Sequence, residues 1–427
     1  MAIQGFRTDE NFISTQRPQN WRQVMLLLYP NSSEIAKAPL TALTSLMKSE
    51  STDDPVYHWF QKILDARRLK INANVATTDS TLTVDATFQN TPQSNFSWAT
   101  ILKAGDMLYI EQTGEIVRVS ADPTSVTTVP ITRAQAGTTA GAITIANAGV
   151  NPYAFVIGSA YEEGSLAPTS MAYDPVEVNN YCQIFRSTLS ITRTAMRTRL
   201  RTGDAVTEAK RECLEYFTVD MERGFWFNGS RALITINGNP ARLTTGILQQ
   251  IRDQTGGAAS NQFVAVGGSG LIDMNFLEKN LEICFRYGSS EKMMFGSNLI
   301  LLAVEQAIRK NSFYKIETGL KEYGMRVSRF TTPFGEIVFK VHPLFNQQQG
   351  GTTAGTNFLS IANNAYILDM ANIRYRYVDD VKYEKDLTPV GLDGLKSGYI
   401  CECGLELHHG LTHMVWTGIT GGAVDAV

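Results

Sequence analysis

The strongest period in the chain runs from Asp204 to Phe227. Val206, Ala209, Cys213, Phe217 and Met221 recur at three- and four-residue steps, which predicts one apolar stripe along an α-helix. Asp204, after Gly203, is placed to cap its start, and Glu208 adds negative charge near the first turn, where the helix dipole favours it. Asn228-Gly229 supplies a stop, because both residues tolerate the left-handed backbone that ends many helices. At about 1.5 Å per residue such a rod is on the order of 35 Å long. The residues before it, from Asn179 onward, read as an extended arm.

Period two takes over elsewhere. Met107-Leu108-Tyr109-Ile110 and Glu115-Ile116-Val117-Arg118-Val119 alternate around the turn signal Thr113-Gly114. Short strands of this kind and small residues between Leu69 and Ile157 predict a small β-barrel or sandwich. A carbohydrate-binding module is the other use of such a fold, but no aromatic cluster supports it. Asp53-Asp54-Pro55 ahead of Val56–Phe60 predicts a brief helix. Residues 1 to about 50 have no sustained period and contain Pro18, Pro30 and Pro39, so they read as an arm ordered by other subunits.

After the long helix, Phe263–Val266 reads as a buried strand, Gly267–Gly270 as a turn and Met274–Tyr287 as a helix with Phe276, Leu277, Leu281 and Cys284 on one side. A further helix runs through Ala303, Ala307 and Ile308. Met325–Phe330 and Ile337–His342 form a hairpin across Pro333-Phe334-Gly335. Gln347–Thr353 reads as a flexible loop, and the final third alternates as antiparallel strands do. Helices and strands are mixed without regular alternation, so the fold class is α+β. At 427 residues, two or more lobes are expected.

Charge sharpens this picture. Arg186, Arg193, Arg197, Arg199 and Arg201 fall in the arm, whereas Glu208, Glu212, Glu215, Asp220 and Glu222 fall in the helix. Many identical copies tiling a surface can use this, each arm lying across a neighbour's helix. Arg193, Arg197, Arg199 and Arg201 are then the expected arm contacts, with Glu208, Glu212 and Glu215 as partners. An ordinary surface helix of an enzyme is the competing reading. Net charge is −3, so no global basic signature for nucleic acid exists. No apolar run is long enough to span a membrane and the N-terminus has no signal-peptide core, so a soluble protein made in the cytoplasm is expected. Five cysteines, an odd number, read as buried free thiols in a reducing compartment.

Candidate chemistry is sparse. Cys401-Glu402-Cys403 with His408, His409 and His413 is the one metal-like group; His409 and His413 have zinc-ligand spacing, whereas Cys-x-Cys is too short. Packing of both cysteines into a sheet is the alternative. The glycine loop at Gly267–Gly270 fits neither a dinucleotide nor a P-loop spacing. His58 reads as a packed residue on an apolar helix face and His342 as a strand end. Glu162-Glu163 and Asp379-Asp380 read as solvated charges. No catalytic residue and no cofactor is expected.

Asn180-Tyr181-x-Gln183-Ile184-Phe185, followed by a helix with Lys210, Asp220 and Glu222 and then Gly229, resembles the arm and spine helix of tailed-bacteriophage major capsid proteins. The resemblance continues through Thr132-Arg133, Gly137-Thr138, Glu162–Ser165, Thr332–Gly335, Leu368-Asp369 and Leu405-Glu406-Leu407, in order from about Trp59 to Thr417. Cys182 departs from it, standing where a hydroxyl residue is expected, and the histidine-rich C-terminal stretch is unusual. The resemblance implies the coat fold shared with encapsulins and the herpesvirus shell floor. It divides the chain into an N-terminal arm with a short helix (residues 1–68), a β-rich insertion in the extended-loop region (69–158), the extended loop (159–202), the spine helix and peripheral domain (203–261), an axial domain (262–365) and late strands (366–427). It further implies pentamers and hexamers in an icosahedral virion shell that encloses double-stranded DNA without sequence-specific binding. Scaffolding, portal and decoration proteins would be separate partners. An encapsulin-like compartment shell is the alternative.

Overall fold

The computed structural model describes residues 43, 46–62, 67–85, 98–145, 152–171, 174–198, 203–256, 261–267, 270–309, 317–322, 325–346 and 361–422. The long helix spans Ala205–Phe227. Asp204 caps it, its carboxylate accepting from the Thr207 amide at 2.9 Å. Cys213, Phe217, Met221, Phe225 and Trp226 are buried, whereas Val206 and Ala209 are half-buried, so the stripe sinks deeper toward the C-terminal end. That end differs from expectation. Asn228 has φ −55° and ψ 141°, an extended rather than a left-handed stop. Tertiary bonds hold it: its side-chain amide donates to Gln183 Oε1 at 2.9 Å, and its carbonyl accepts from Gly246 N at 3.1 Å.

The buried end of this helix packs on a four-stranded sheet ordered Lys48–Ser51, Ile373–Glu384, Gly394–Leu407, Gln183–Thr192. Phe217, Met221, Phe225 and Trp226 meet Tyr375, Cys401, Cys403, Leu405 and Leu407 in one core. Gly224 lets the arm strand come close, because a Cβ there would sit 3.1 Å from the Phe185 ring. Two elements that follow the long helix were not foreseen in the sequence. Ala232–Ile236 and Asn239–Leu243 form a hairpin whose turn residues Asn237 and Gly238 have φ 51° and 82°, as a two-residue primed turn requires. The helix Ile247–Thr255 then returns to the sheet and buries Ile247 and Ile251.

A mixed seven-stranded sheet forms the second lobe, ordered Phe263–Ala265, Met414–Thr417, Ala365–Leu368, Glu291–Gly296, Gly335–Val341, Met325–Thr332, Glu317–Glu322. The expected hairpin is present, with Thr332 opposite Gly335. Helices Met274–Cys284 and Asn298–Arg309 contribute to its core through Leu277, Leu281, Ala303 and Val304. Trp226 joins the two lobes: its ring centroid lies 5.1 Å from those of Phe345 and Tyr366 and 5.4 Å from that of Phe295.

The expected helix at Val56–Phe60 is instead a strand, Val56–Gln61, antiparallel to Val176–Tyr181. Tyr57, Trp59 and Gln61 are buried while His58 and Phe60 are exposed, so a period-two face and cross-strand pairing outweigh the local Asp-Asp-Pro start signal. His58 consequently lies on an exposed face, 2.5 Å from Glu177, not packed on a helix. Between these two strands the chain builds a six-stranded sheet, ordered Arg68–Lys70, Tyr153–Ser159, Asp106–Ile110, Ile116–Val119, Thr128–Gln135, Thr81–Thr83. A bridge from Ile71 to Val84 closes it into a barrel. Its core is its own, made of residues such as Leu69, Leu82, Leu108, Val117, Val129 and Ala154. Most of the expected N-terminal arm lies outside the described residues, as do the Gln347–Thr353 loop and residues Gly268-Ser269. The arm's end is tied to its own chain: Leu43 and Met47 are buried, and Lys48–Ser51 pairs with residues 374–377.

Because Trp226 fills the seam between lobes, Trp226→Ala is expected to cost about 3–5 kcal/mol. Equilibrium urea unfolding measures this; a loss below about 1 kcal/mol would contradict the bridging role.

Candidate assembly surface

The arm begins at a buried junction. Asn180 Nδ2 donates to Leu405 O at 2.7 Å and to Thr244 Oγ1 at 3.2 Å, while its Oδ1 accepts from Thr245 N at 2.9 Å. Gln183 Oε1 accepts from Asn228 Nδ2 and, at 3.2 Å, from Thr244 N. Phe185 packs edge-on against Phe225, with centroids 6.0 Å apart. The polar and aromatic residues of the Asn180–Phe185 motif therefore weld the arm's root to the helix end and the late strand. Ile184, on the opposite face of the strand, is exposed.

Past this root the arm stays on its own body further than the sequence suggested. Gln183–Thr192 pairs along its whole length with Gly394–Leu407. A short helix, Arg193–Arg197, follows; Thr192 caps it by accepting from Ala195 N at 3.3 Å. Arg186 pairs with Glu384 at 3.3 Å and Arg193 with Asp393 at 2.9 Å, both at the surface. Arg197 is exposed and has no ion pair among the described residues. Arg199 and Arg201 lie outside the described residues.

The expected carboxylate partners divide. Glu208 lies 2.5 Å and Glu215 2.7 Å from Arg211, at i,i+3 and i,i+4 on the same helix. Arg211, overlooked in the sequence because the helix was read as acidic, occupies both of them. Glu212 points elsewhere, is exposed, and has no ion pair among the described residues. Among the described residues, no arm arginine meets any of the three within one chain.

Apolar side chains are also left exposed on segments that connect the main sheets. Leu166 is 92 % exposed on the run between barrel and arm, where Tyr161 and Met171 are exposed too. Leu233 and Ile236 stand out on the hairpin, and Val390 and Leu392 on the loop between the two long late strands.

Sequence comparison matches this layout to a known family over nearly the whole chain: the SU10 major capsid protein profile covers residues 32–420. The chain belongs to the SU10 major capsid protein family. It is 25% identical over 379 residues to the major capsid protein of Pseudomonas phage PaMx41, covering 86% of this chain and 82% of that protein. Among solved structures, Mycobacterium phage Bobi aligns at 7% identity and TM-score 0.45, with 95% of this chain and 96% of that chain covered. The SrpI encapsulin complex of Synechococcus elongatus aligns at 10% identity and TM-score 0.40, covering 60% and 80%. This SU10-family member is thus a phage major capsid protein and a virion component, with an α+β architecture.

The remaining candidate chemistry of this capsid protein is structural in its geometry. Cys401 and Cys403 are buried in the core beneath the long helix, with Cys401 Sγ 3.2 Å from Tyr375 Oη. His413 uses both ring nitrogens on backbone: Nδ1 accepts from Asp369 N at 3.1 Å, leaving Nε2 to donate to His408 O at 3.3 Å. No group of three or more metal-ligating side chains gathers among the described residues. His342, expected as a commonplace strand end, is fully buried, and its Nε2 lies 3.0 Å from Glu222 Oε1. The same Glu222 oxygen accepts from Leu43 N at 2.6 Å, tying the N-terminal segment to the long helix. Lys292 is also buried and donates to Cys284 O, Tyr287 O and Thr412 O at 2.6–2.8 Å.

Burial pushes the His413 ring down to about 3, with Lys292 acting in the same direction and Asp369 opposing. The unfolded ring protonates near 6.5, so between these values the unfolded state binds the extra proton and stability falls as pH falls. His413→Gln, which cannot titrate, is expected to flatten the loss of stability between about pH 6.5 and pH 3. Urea midpoints across that range provide the check; identical slopes for both proteins would rule the assignment out.

Proposed function

We propose that this major capsid protein tiles as pentamers and hexamers into an icosahedral head shell that encloses double-stranded DNA. The observation that carries the reading is the family match over residues 32–420, joined to an arm whose Arg197 finds no ion pair among the described residues. In this reading residues 69–158 are an insertion carried by the extended loop. The pairing of Val56–Gln61 with Val176–Tyr181 supports it, since those strands form a two-stranded stem below the barrel. Residues 203–261 form the core of the peripheral domain and 262–365 that of the axial domain, and the late strands (366–427) are shared between them, Ile373–Glu384 and Gly394–Leu407 on the sheet below the long helix and Met414–Thr417 in the seven-stranded sheet.

Assembly is non-covalent and needs no catalytic residue or cofactor. An exposed ion pair contributes only about 0–1 kcal/mol, so no single arginine holds a shell together. Apolar contact through the exposed connecting segments supplies the stability, repeated in every copy, while Arg193, Arg197, Arg199 and Arg201 and the helix carboxylates set register. Scaffolding, portal and decoration proteins are candidate partners, the subunit is synthesised in the host cytoplasm, and the DNA is contained without sequence-specific contacts.

Negative-stain imaging of the purified chain is expected to reveal closed shells, and nuclease-protected DNA in particles from infected cells distinguishes a phage head from an enzyme compartment. Arg197→Glu/Arg199→Glu is expected to leave a folded, soluble subunit that forms no shells. Normal particles from that double variant would refute the electrostatic role of the arm.

A further inference from the structure

The outward face of the long helix carries a row that the described residues of its own chain leave open. Glu212, Tyr216 and Asp220 succeed one another at four-residue steps, so they lie one above another. All three are exposed, Tyr216 by 69 %. Neither Glu212 nor Asp220 has a hydrogen bond or ion pair among the described residues. The adjacent row is already satisfied, because Arg211 holds both Glu208 and Glu215. Nor does the fold need this tyrosine: the helix buries its opposite side through Cys213, Phe217 and Met221.

We propose that this row receives the arginine-bearing end of a second copy's arm, a guanidinium lying on the Tyr216 ring between the carboxylates of Glu212 and Asp220. The proposal rests on the reading that the chain tiles into a shell. Two carboxylates eight residues apart on a helix are separated by about 12 Å, with the ring midway. That spacing suits a planar cation that stacks on the ring and directs its N–H edges to either side. The arm supplies such cations. Arg197 is exposed and unpaired among the described residues, and Arg199 and Arg201 follow it in sequence. The chain's own arm is held elsewhere, since Gln183–Thr192 is paired into the sheet and Arg193 is engaged by Asp393. Charge complementarity between the open row and the open arm end therefore points to a neighbouring copy as occupant.

Charge exchange in the full-length chain tests this, with shells counted by sedimentation and negative stain. Glu212→Arg/Asp220→Arg is expected to lower shell yield by about tenfold or more near 0.1 M salt, where like charges now face each other, with unchanged circular dichroism. Adding Arg197→Glu, Arg199→Glu and Arg201→Glu to that variant is expected to restore shells. Undiminished assembly of the row variant overturns the proposal while leaving the shell reading intact. Failure of the combined exchange to recover shells also overturns it, and assigns the row to a different partner. If the arginine variant does not fold, Glu212→Gln/Asp220→Asn serves instead, and an undiminished shell yield from it has the same consequence. Absence of shells from the unaltered chain removes the tiling reading, and this site with it.

Discussion

One backbone carbonyl organises the middle of this protein. Leu405 O lies inside the molecule and accepts from Asn180 Nδ2 at 2.7 Å, Tyr57 Oη at 2.9 Å and Gln250 Nε2 at 3.0 Å. A buried carbonyl has to be satisfied, and here the donors come from three places far apart in sequence. The stem strand, the root of the arm and the helix Ile247–Thr255 are fixed to the late strand by meeting there. Gln254 repeats the device two residues along, donating to Leu407 O and accepting from Gly410 N. These bonds place the arm on the helix's sheet, and from that placement follows the direction in which Arg197 leaves the body.

The same arrangement separates what is finished within one chain from what is not. The core below the long helix, the second lobe and the barrel each bury their own apolar residues. Even the buried charges are answered internally, Glu222 by His342 and the Leu43 amide, Lys292 by carbonyl oxygens. Among the described residues, what stays exposed lies on the hairpin, the run around Leu166, the loop at Val390, Arg197 and one row of the long helix. A folded subunit with unfinished margins is what a capsid protein requires, because it has to be stable before assembly and associate only when many weak contacts act together.

The barrel meets a different constraint. It departs from a two-stranded stem and returns to it, and its ends Arg68–Lys70 and Tyr153–Ser159 are neighbouring strands. Closure through Ile71 and Val84 removes the free sheet edges that would otherwise pair with other chains. Its surface chemistry is consequently independent of the packing that holds the rest of the subunit.

The sequence by itself determined the elements whose signals are local. The helix from Ala205, its Asp204 cap, the Pro333–Gly335 hairpin and the strand-rich character of the barrel follow from period and turn chemistry, which act over a few residues. The Asn180–Phe185 motif was legible as a family mark, yet its physical role was not, since Asn180 and Gln183 find their partners more than forty residues away. Tertiary contact decided the rest. Cross-strand pairing with Val176–Tyr181 made a strand of Val56–Gln61 against its local helix signal, and Gln183 stopped the long helix at Asn228 without a left-handed residue. The helix Ile247–Thr255 gains much of its order from carbonyls that only the folded sheet presents. Among the candidate contacts, only the folded helix revealed that Arg211 claims Glu208 and Glu215 and leaves Glu212 facing outward, because side-chain pairing depends on rotamer and face as well as on charge.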